Sequence, residues 1–253
     1  MDTGIPTQDF GASYTNYFDL LRADTPELLD EAYRLRYQVY CVEHAFENPA
    51  EHSNGRETDA DDDRSVHTLL VHRRTGTYAG TVRVILPSHH DPHRVLPIQR
   101  ILASQERGAA EHFPRATTAE ISRFLVSKEF HRRRGEELHA DIGALADAVA
   151  IPEERRVAPY ITFGLMRGVL EICVEYGITH FCAVMEPALI RILRRFGLDF
   201  EEIGDLVNHH GLRQPCVARL EDLVRRNRAD QTLIWQYAAR ALESKDRTAA
   251  IAA

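Results

Sequence analysis

The chain of 253 residues carries 31 Lys and Arg against 38 Asp and Glu, a formal net charge of −7 with histidine neutral. That balance excludes the broad basic surface on which nucleic-acid binding depends, and no stretch approaches the ~18 consecutive apolar residues of a membrane span. Hydrophobic residues at 44% and charged residues at 27% are those of a globular protein with a substantial core.

The first 22 residues read as an N-terminal arm without the basic and apolar regions of a secretion signal, which points to a cytoplasmic protein. "DTPELLDEAYRLRYQVYCVE" follows as a helix, with Thr25 at the N-cap, Pro26 at the first helical position and Leu28, Leu29, Ala32, Leu35 and Val39 at helical spacing. A long acidic, turn-rich loop, "HAFENPAEHSNGRETDADDDRS", comes next; loops of that length are usually functional or mobile. "VHTLLVH" and "YAGTVRVIL" are strand patterns joined through "RRTG", where Gly76 suits a hairpin turn.

A loop with a short helix at Ile98 to Ala103 leads to the strand "EISRFLVS". Residues from about 128 to 158 form a charged, alanine-rich insertion. Then come the helix "YITFGLMRGVLEICVEYGI" with a stop at Gly177, the strand "THFCAVM", a short helix ending at Gly197, and a strand–turn–strand segment. Residues 23–220 are one domain, and 221–253 are a C-terminal helical extension. The order of elements describes an α/β sheet covered by helices. Cys41, Cys173, Cys182 and Cys216 show no CxxC pair and no metal spacing, and are expected as reduced, buried thiols. His89, His90, His93, His209 and His210 lack the helical spacing with an acid that marks zinc enzymes.

Five ordered segments, "RLRYQVYCVE", "ETDADD", "VH", "GTVRVILP" and "AEISRFLVS", resemble the acyl-homoserine lactone synthases and N-acyl amino acid synthases of the GNAT superfamily. The nearest likeness is to the acyltransferase family associated with PEP-CTERM/exosortase systems, over residues 27–197. The resemblance implies a GNAT-like, mostly antiparallel mixed sheet with flanking helices. It implies an N-acyltransferase that takes a fatty acyl group from acyl carrier protein or acyl-CoA to a small amine or amino acid, with no tightly bound cofactor.

Acyl transfer to an amine needs a neutral nitrogen, a group that takes its proton, and donors for the oxyanion. Glu120 is the candidate base or amine-orienting group, the role the resemblance also implies. Strict alternation puts Glu120 and Arg123 on opposite faces, so a bulge between them is expected. Arg123 would then pair with carboxylates of the acidic loop and hold that loop over the site.

Glu57, Asp59 and Asp62 match the E-x-D-x-x-D pattern, with Asp59 and Asp62 as substrate-binding candidates. The alternatives are a solvated turn, or a calcium loop of Glu57, Asp59, Asp61 and Asp63, although the glycine and distal glutamate of an EF-hand are missing. Arg36 and Tyr40, four apart, share a helix face on which Arg36 could bind Asp59 or Asp62; a surface arginine beside a half-buried tyrosine is the alternative. Arg83, on the face opposite Val82 and Val84, calls for an acidic partner. Phe124 completes the substrate-binding set.

"KEFHRRRGEE" stands where the diphosphate-binding turn of the superfamily belongs, yet only Arg132 and Gly135 fit, and Glu137 takes the second glycine position. Arg132, Arg133 and Arg134 are therefore candidates for binding an acidic carrier protein, or belong to a solvated turn. The donor stays open between acyl carrier protein and acyl-CoA. Phe46 stands near the place of a lactone-synthase tryptophan, which argues against homoserine lactone as the product. The alternative functions are an acetyl-CoA-dependent N-acetyltransferase and a non-catalytic acyl- or carrier-binding protein.

Overall fold

The computed structural model describes residues 17–88, 90–91, 93–105, 113–130, 158–195, 198–208 and 211–227. Its strands are β1 (Phe18–Arg22), β2 (Ser65–His72), β3 (Tyr78–Ile85), β4 (Thr118–Val126), β5 (His180–Met185), β6 (Glu201–Glu202), β7 (Val207–Asn208) and β8 (Leu212–Arg219). Its helices are α1 (Pro26–Tyr37), α2 (Pro97–Ala103), α3 (Ala158–Glu175), α4 (Pro187–Arg195) and α5 (Leu220–Asn227). The strands join in the order β1-β2-β3-β4-β5-β8-β6, with β7 paired to β8. Every pairing is antiparallel except β4 with β5. The expected mixed, mostly antiparallel GNAT-like sheet is therefore present.

Alternation along the strands divides the apolar residues between two faces. On one, Val82, Val84, Ile121 and Phe181 pack with Ile161, Leu165, Met166 and Val169 of α3. On the other, Leu69 packs with Ala32 of α1, while Ile85, Cys182 and Val217 pack with Ile98 and Leu102 of α2. Among the described residues no helix is long and apolar enough to cross a membrane.

Local chemistry explains the boundaries. Thr25 Oγ1 accepts the backbone N–H of Leu28 at 3.3 Å, which caps α1 as its sequence requires. The hairpin between β2 and β3 turns through Gly76 at φ +68°, a conformation glycine adopts without penalty. All four cysteines are buried and unpaired.

Two elements differ from expectation. Phe18–Arg22, read as the end of an arm, is the edge strand β1, paired with Thr68–His72 of β2, with Phe18 almost completely buried. Its five residues are too few for a periodic signal, and pairing rather than propensity holds them. After α1 the chain widens into a single π-helical stretch, Gln38–Glu43, where His44 N–H reaches Val39 O at 3.1 Å. The C-terminal extension is helical over Leu220–Asn227; its remainder and residues 131–157 lie outside the described residues.

Gly80 of β3 marks a close approach: a Cβ there would stand 2.6 Å from the Leu125 carbonyl oxygen and 3.2 Å from Leu165 Cδ1. Backbone on one side and a packed helix on the other leave it nowhere to go. Gly80→Ala is therefore expected to lower the unfolding free energy by about 1–3 kcal/mol, as over-packed cores do. Urea unfolding followed by circular dichroism measures the loss.

Candidate active site

The site begins with an irregularity in β4. Arg83 lies opposite Ser122 and Thr81 opposite Leu125, so Arg123 and Phe124 together face the single residue Val82. Arg123 takes φ +48°, rare for a residue with a side chain, and this bulge breaks the alternation. Without it Arg123 would follow Ile121 into the α3 core. With it the guanidinium reaches the face where Arg83 and Ser122 lie, while Phe124 packs against the α3 core.

On that face six ionised groups close a ring. Arg36 Nε donates to Glu57 at 2.5 Å; Glu57 accepts from Arg123 Nη2 at 2.7 Å; Arg123 Nη2 also reaches Asp59 at 3.3 Å. Asp59 accepts from Arg83 Nη1 at 2.6 Å, the same nitrogen reaches Asp62 at 2.9 Å, and Asp62 accepts from Arg36 Nη1 at 2.6 Å. Guanidinium and carboxylate alternate all the way round. Arg36 and Arg83 are 0% and 2% exposed, a position that only close opposite charges make tolerable.

Around the ring, Ser122 Oγ accepts from Arg83 Nε at 2.8 Å and the Asp59 N–H donates to Asp62 at 2.7 Å. Arg36 lies over Tyr33 at 5.3 Å and Arg123 over Tyr40 at 5.2 Å from the ring centres. Asp61 and Asp63 are matched by Arg64 and Arg94. Each acid of the supposed calcium loop thus has its own arginine. Arg64 continues to the carbonyls of Leu86, Arg94 and Val95, tying the acidic loop to the approach to α2.

Burial alone would raise the Glu57 carboxyl, but the bonds from Arg123 and the charge of Arg36 outweigh it and hold it at about 2. Asp59 and Asp62 are depressed below the usual carboxylate range by the same contest. His67, on β2, is buried with Nε2 3.4 Å from Asp62. Desolvation first, and then the Arg36 charge, push it down to about 3, so it is a neutral imidazole beside the ring.

Glu120 has the opposite environment. It lies in register between Ile85 of β3 and Cys182 of β5, with α2 across it. Its Oε2 accepts the Ile98 backbone N–H at 2.9 Å. Desolvation dominates and raises its carboxyl to about 7, with the Ile98 bond and the Arg83 charge only moderating the rise.

Glu120 also marks where two strands part. The parallel ladder of β4 and β5 runs through Thr118↔His180, Ala119↔Phe181 and Glu120↔Cys182 and stops there among the described residues. Beyond it β4 continues on β3 and β5 on β8. A wedge with strand backbone on both sides opens directly past the buried carboxylate.

The structure thus gathers Arg36, Asp59, Asp62, Arg83 and Arg123 in one network, with Tyr40 under Arg123 and Glu120 two residues along β4 from Ser122. Phe124 is turned away from the network, and Arg132, Arg133 and Arg134 lie outside the described residues. Sequence reasoning missed His67, Ser122 and the Ile98 N–H. Of these only His67 left a signal, as a histidine alternating with apolar residues inside a strand.

Residues 35–140 match the family model described as an acetyltransferase (GNAT) domain. No curated protein matches the chain. Among solved structures, TofI in a ternary complex with an inhibitor and MTA is 19% identical, over 82% of this chain and 96% of its own, with a TM-score of 0.55. MesI, a CoA-dependent acyl-homoserine lactone synthase, is 19% identical over 89% and 95%, at 0.53. FeeM, an N-acyl amino acid synthase from uncultured soil microbes, is 15% identical over 87% and 97%, at 0.52. The chain has the GNAT fold, and residues 35–140 are similar to a GNAT acetyltransferase domain.

Two groups of the site make stability depend on pH with opposite signs: between 4.5 and about 7 the fold keeps Glu120 protonated while the unfolded chain ionises it, so this carboxyl favours the fold as pH falls, and His67 works against it. Between 6.5 and about 3 the unfolded chain protonates His67 and the folded one does not, so through this group acidification destabilises the fold. The slope from this group is up to about 1.4 kcal/mol per pH unit. Glu57, Asp59 and Asp62 add a further loss below the ordinary carboxylate range, for Glu57 from 4.5 to about 2. In urea unfolding at a series of pH values, His67→Gln is expected to remove the contribution that offsets Glu120, so that stability rises as pH falls from about 7 to 4.5, and to leave the acid limb of Glu57, Asp59 and Asp62 in place.

Proposed function

We propose that the protein moves a fatty acyl group from a thioester carrier, acyl carrier protein or acyl-CoA, to the amine of a small molecule, with an amino acid as the acceptor. One observation carries this reading: a buried carboxyl raised to about 7 stands where β4 and β5 part. An α-amino group titrates at about 7.7–8.0, so passing its proton to such a carboxylate is nearly level in energy. The wedge offers backbone on both edges to the amides of a pantetheine arm.

The ring supports the choice of acceptor. Its longest link, Arg123 to Asp59 at 3.3 Å, joins its two most exposed members, 18% and 33% exposed. An amino acid entering there exchanges one ion pair for two, its carboxylate on Arg123 and its ammonium on Asp59. The CoA-dependent synthase and the N-acyl amino acid synthase of the same fold perform chemistry of this class by name. The association with PEP-CTERM/exosortase systems and a cytoplasmic location belong to the same proposal, and four unpaired thiols suit a reducing compartment.

The reaction is assayed by mass spectrometry of products from long-chain acyl carrier protein, acyl-CoA and acetyl-CoA with a pool of amino acids and amines. A long-chain N-acyl amino acid is expected. Its kcat/KM should rise with pH through about 7 and fall about 10²–10⁴-fold in Glu120→Gln. Selective acetyl transfer would make the protein an acetyltransferase, and bound carrier with no product would make it a binding protein.

A further inference from the structure

Tyr40 is held more firmly than a wall residue needs to be. It lies in the π-helical stretch Gln38–Glu43, a local widening that often marks function. Its carbonyl accepts two backbone N–H groups, Phe46 at 2.8 Å and Glu47 at 3.1 Å, so the chain folds back over it. That return passes through Ala45 at φ +51°, and Arg123, whose guanidinium covers the Tyr40 ring at 5.2 Å, sits at φ +48°. These are the two non-glycine residues with positive φ among the described residues, and the segments they belong to meet where Glu47 stands 3.6 Å from Arg123. Strain of this kind persists only where surrounding structure over-determines it, and it collects at functional sites.

What the scaffold holds is a phenol whose hydroxyl has no hydrogen-bond partner among the described residues. The ring also feels Arg213 of β8, which pairs with Glu186 at the end of β5. Tyr40 therefore lies between β4, through Arg123, and the β5–β8 side, through Arg213. Arg123 follows Glu120 along β4, and Arg213 adjoins Gln214, the partner of Met185, so both arginines stand past the point where the β4–β5 ladder stops.

We infer that the Tyr40 hydroxyl donates a hydrogen bond to the thioester carbonyl oxygen and stabilises the negative charge that forms there. This rests on the acyl-transfer reading above. Glu120 first takes the ammonium proton and releases it to water; the neutral amine nitrogen then attacks the carbonyl carbon, and the C=O pair moves onto the oxygen facing Tyr40. The nitrogen's proton passes to Glu120. The oxyanion then collapses, the C–S bond breaks, and the departing thiolate takes the proton from Glu120. Tyr40 keeps its own proton throughout. Burial raises its hydroxyl above the ordinary 10.0, which makes it a poor acid for a thiolate and leaves it a neutral donor.

Tyr40→Phe keeps the ring under Arg123 and removes only the oxygen. Its kcat is expected to fall about 10²–10³-fold with little change in KM, as for loss of one oxyanion donor. Across acyl thioesters of thiols of increasing pKa, the ratio of wild type to variant should stay constant. An unchanged kcat overturns the assignment, and so does a rise confined to KM. A ratio that grows with thiol pKa overturns it in favour of a proton donor to sulfur.

A second readout does not need turnover. With ¹³Cζ-tyrosine the Tyr40 signal, identified by its loss in Tyr40→Phe, should shift when acyl-CoA binds and stay in place with CoA alone. A shift without any N-acyl product would sink the acyl-transfer reading and keep the contact to the thioester. Product without a shift would sink the contact alone.

Discussion

The alternating ring of three arginines and three carboxylates is the constraint on which the rest of the site depends. Its arginines come from three elements, Arg36 from α1, Arg83 from β3 and Arg123 from β4, while its acids all come from the one segment 57–62. A loop without a strand ladder of its own is thereby fixed to a helix and two strands. Single buried ion pairs often fail to offset their desolvation. Here each charge has two opposite neighbours, and the ring as a whole buries no net charge. Its strength and its vulnerability have the same cause, since removing any member leaves two partners with one opposite neighbour each and the buried ring with a net charge.

The ring also sets the geometry of the chemistry. Arg123 can join it only by leaving the regular pleat, and the bulge it occupies lies three residues from Glu120 on the same strand. Between them Ser122 is held by Arg83, so the carboxyl candidate for proton transfer and the charged ring share one stretch of β4. The contrast in environment separates their roles. Glu57 and Asp62, surrounded by guanidinium groups, stay ionised; Glu120, between Ile85 and Cys182, is driven toward neutrality. Carboxyls within one site are thus divided by their neighbours into structural anions and a titrating group.

Much of this was legible in the sequence where chemistry is local. The Thr25–Pro26 cap, the Gly76 hairpin and the short helix near Ile98 follow from residue types that adopt few conformations. An arginine within an apolar strand, as at Arg83, implies an acidic partner, and the acidic loop ahead of β2 was the nearest supply. The bulge was foreseen because Glu120 and Arg123 could not otherwise serve one cleft. Closure of the ring was not legible, since it depends on where α1 sits against β3 and β4. Neither was the Ile98 N–H on Glu120, a backbone contact that any residue could have made. His67 went unnoticed because its burial is a property of the packed sheet, and Phe18–Arg22 because five residues carry little periodicity.

The account turns on one carboxyl group, and its titration is the most direct test. With ¹³Cδ-glutamate, the Glu120 resonance can be recognised by its disappearance in Glu120→Gln and followed against pH in the folded protein. A midpoint near 7 is predicted, reflecting a carboxyl desolvated where β4 and β5 part. A midpoint at the ordinary 4.5 would mean that water reaches Glu120 freely and that it is not poised to take a proton from an amine.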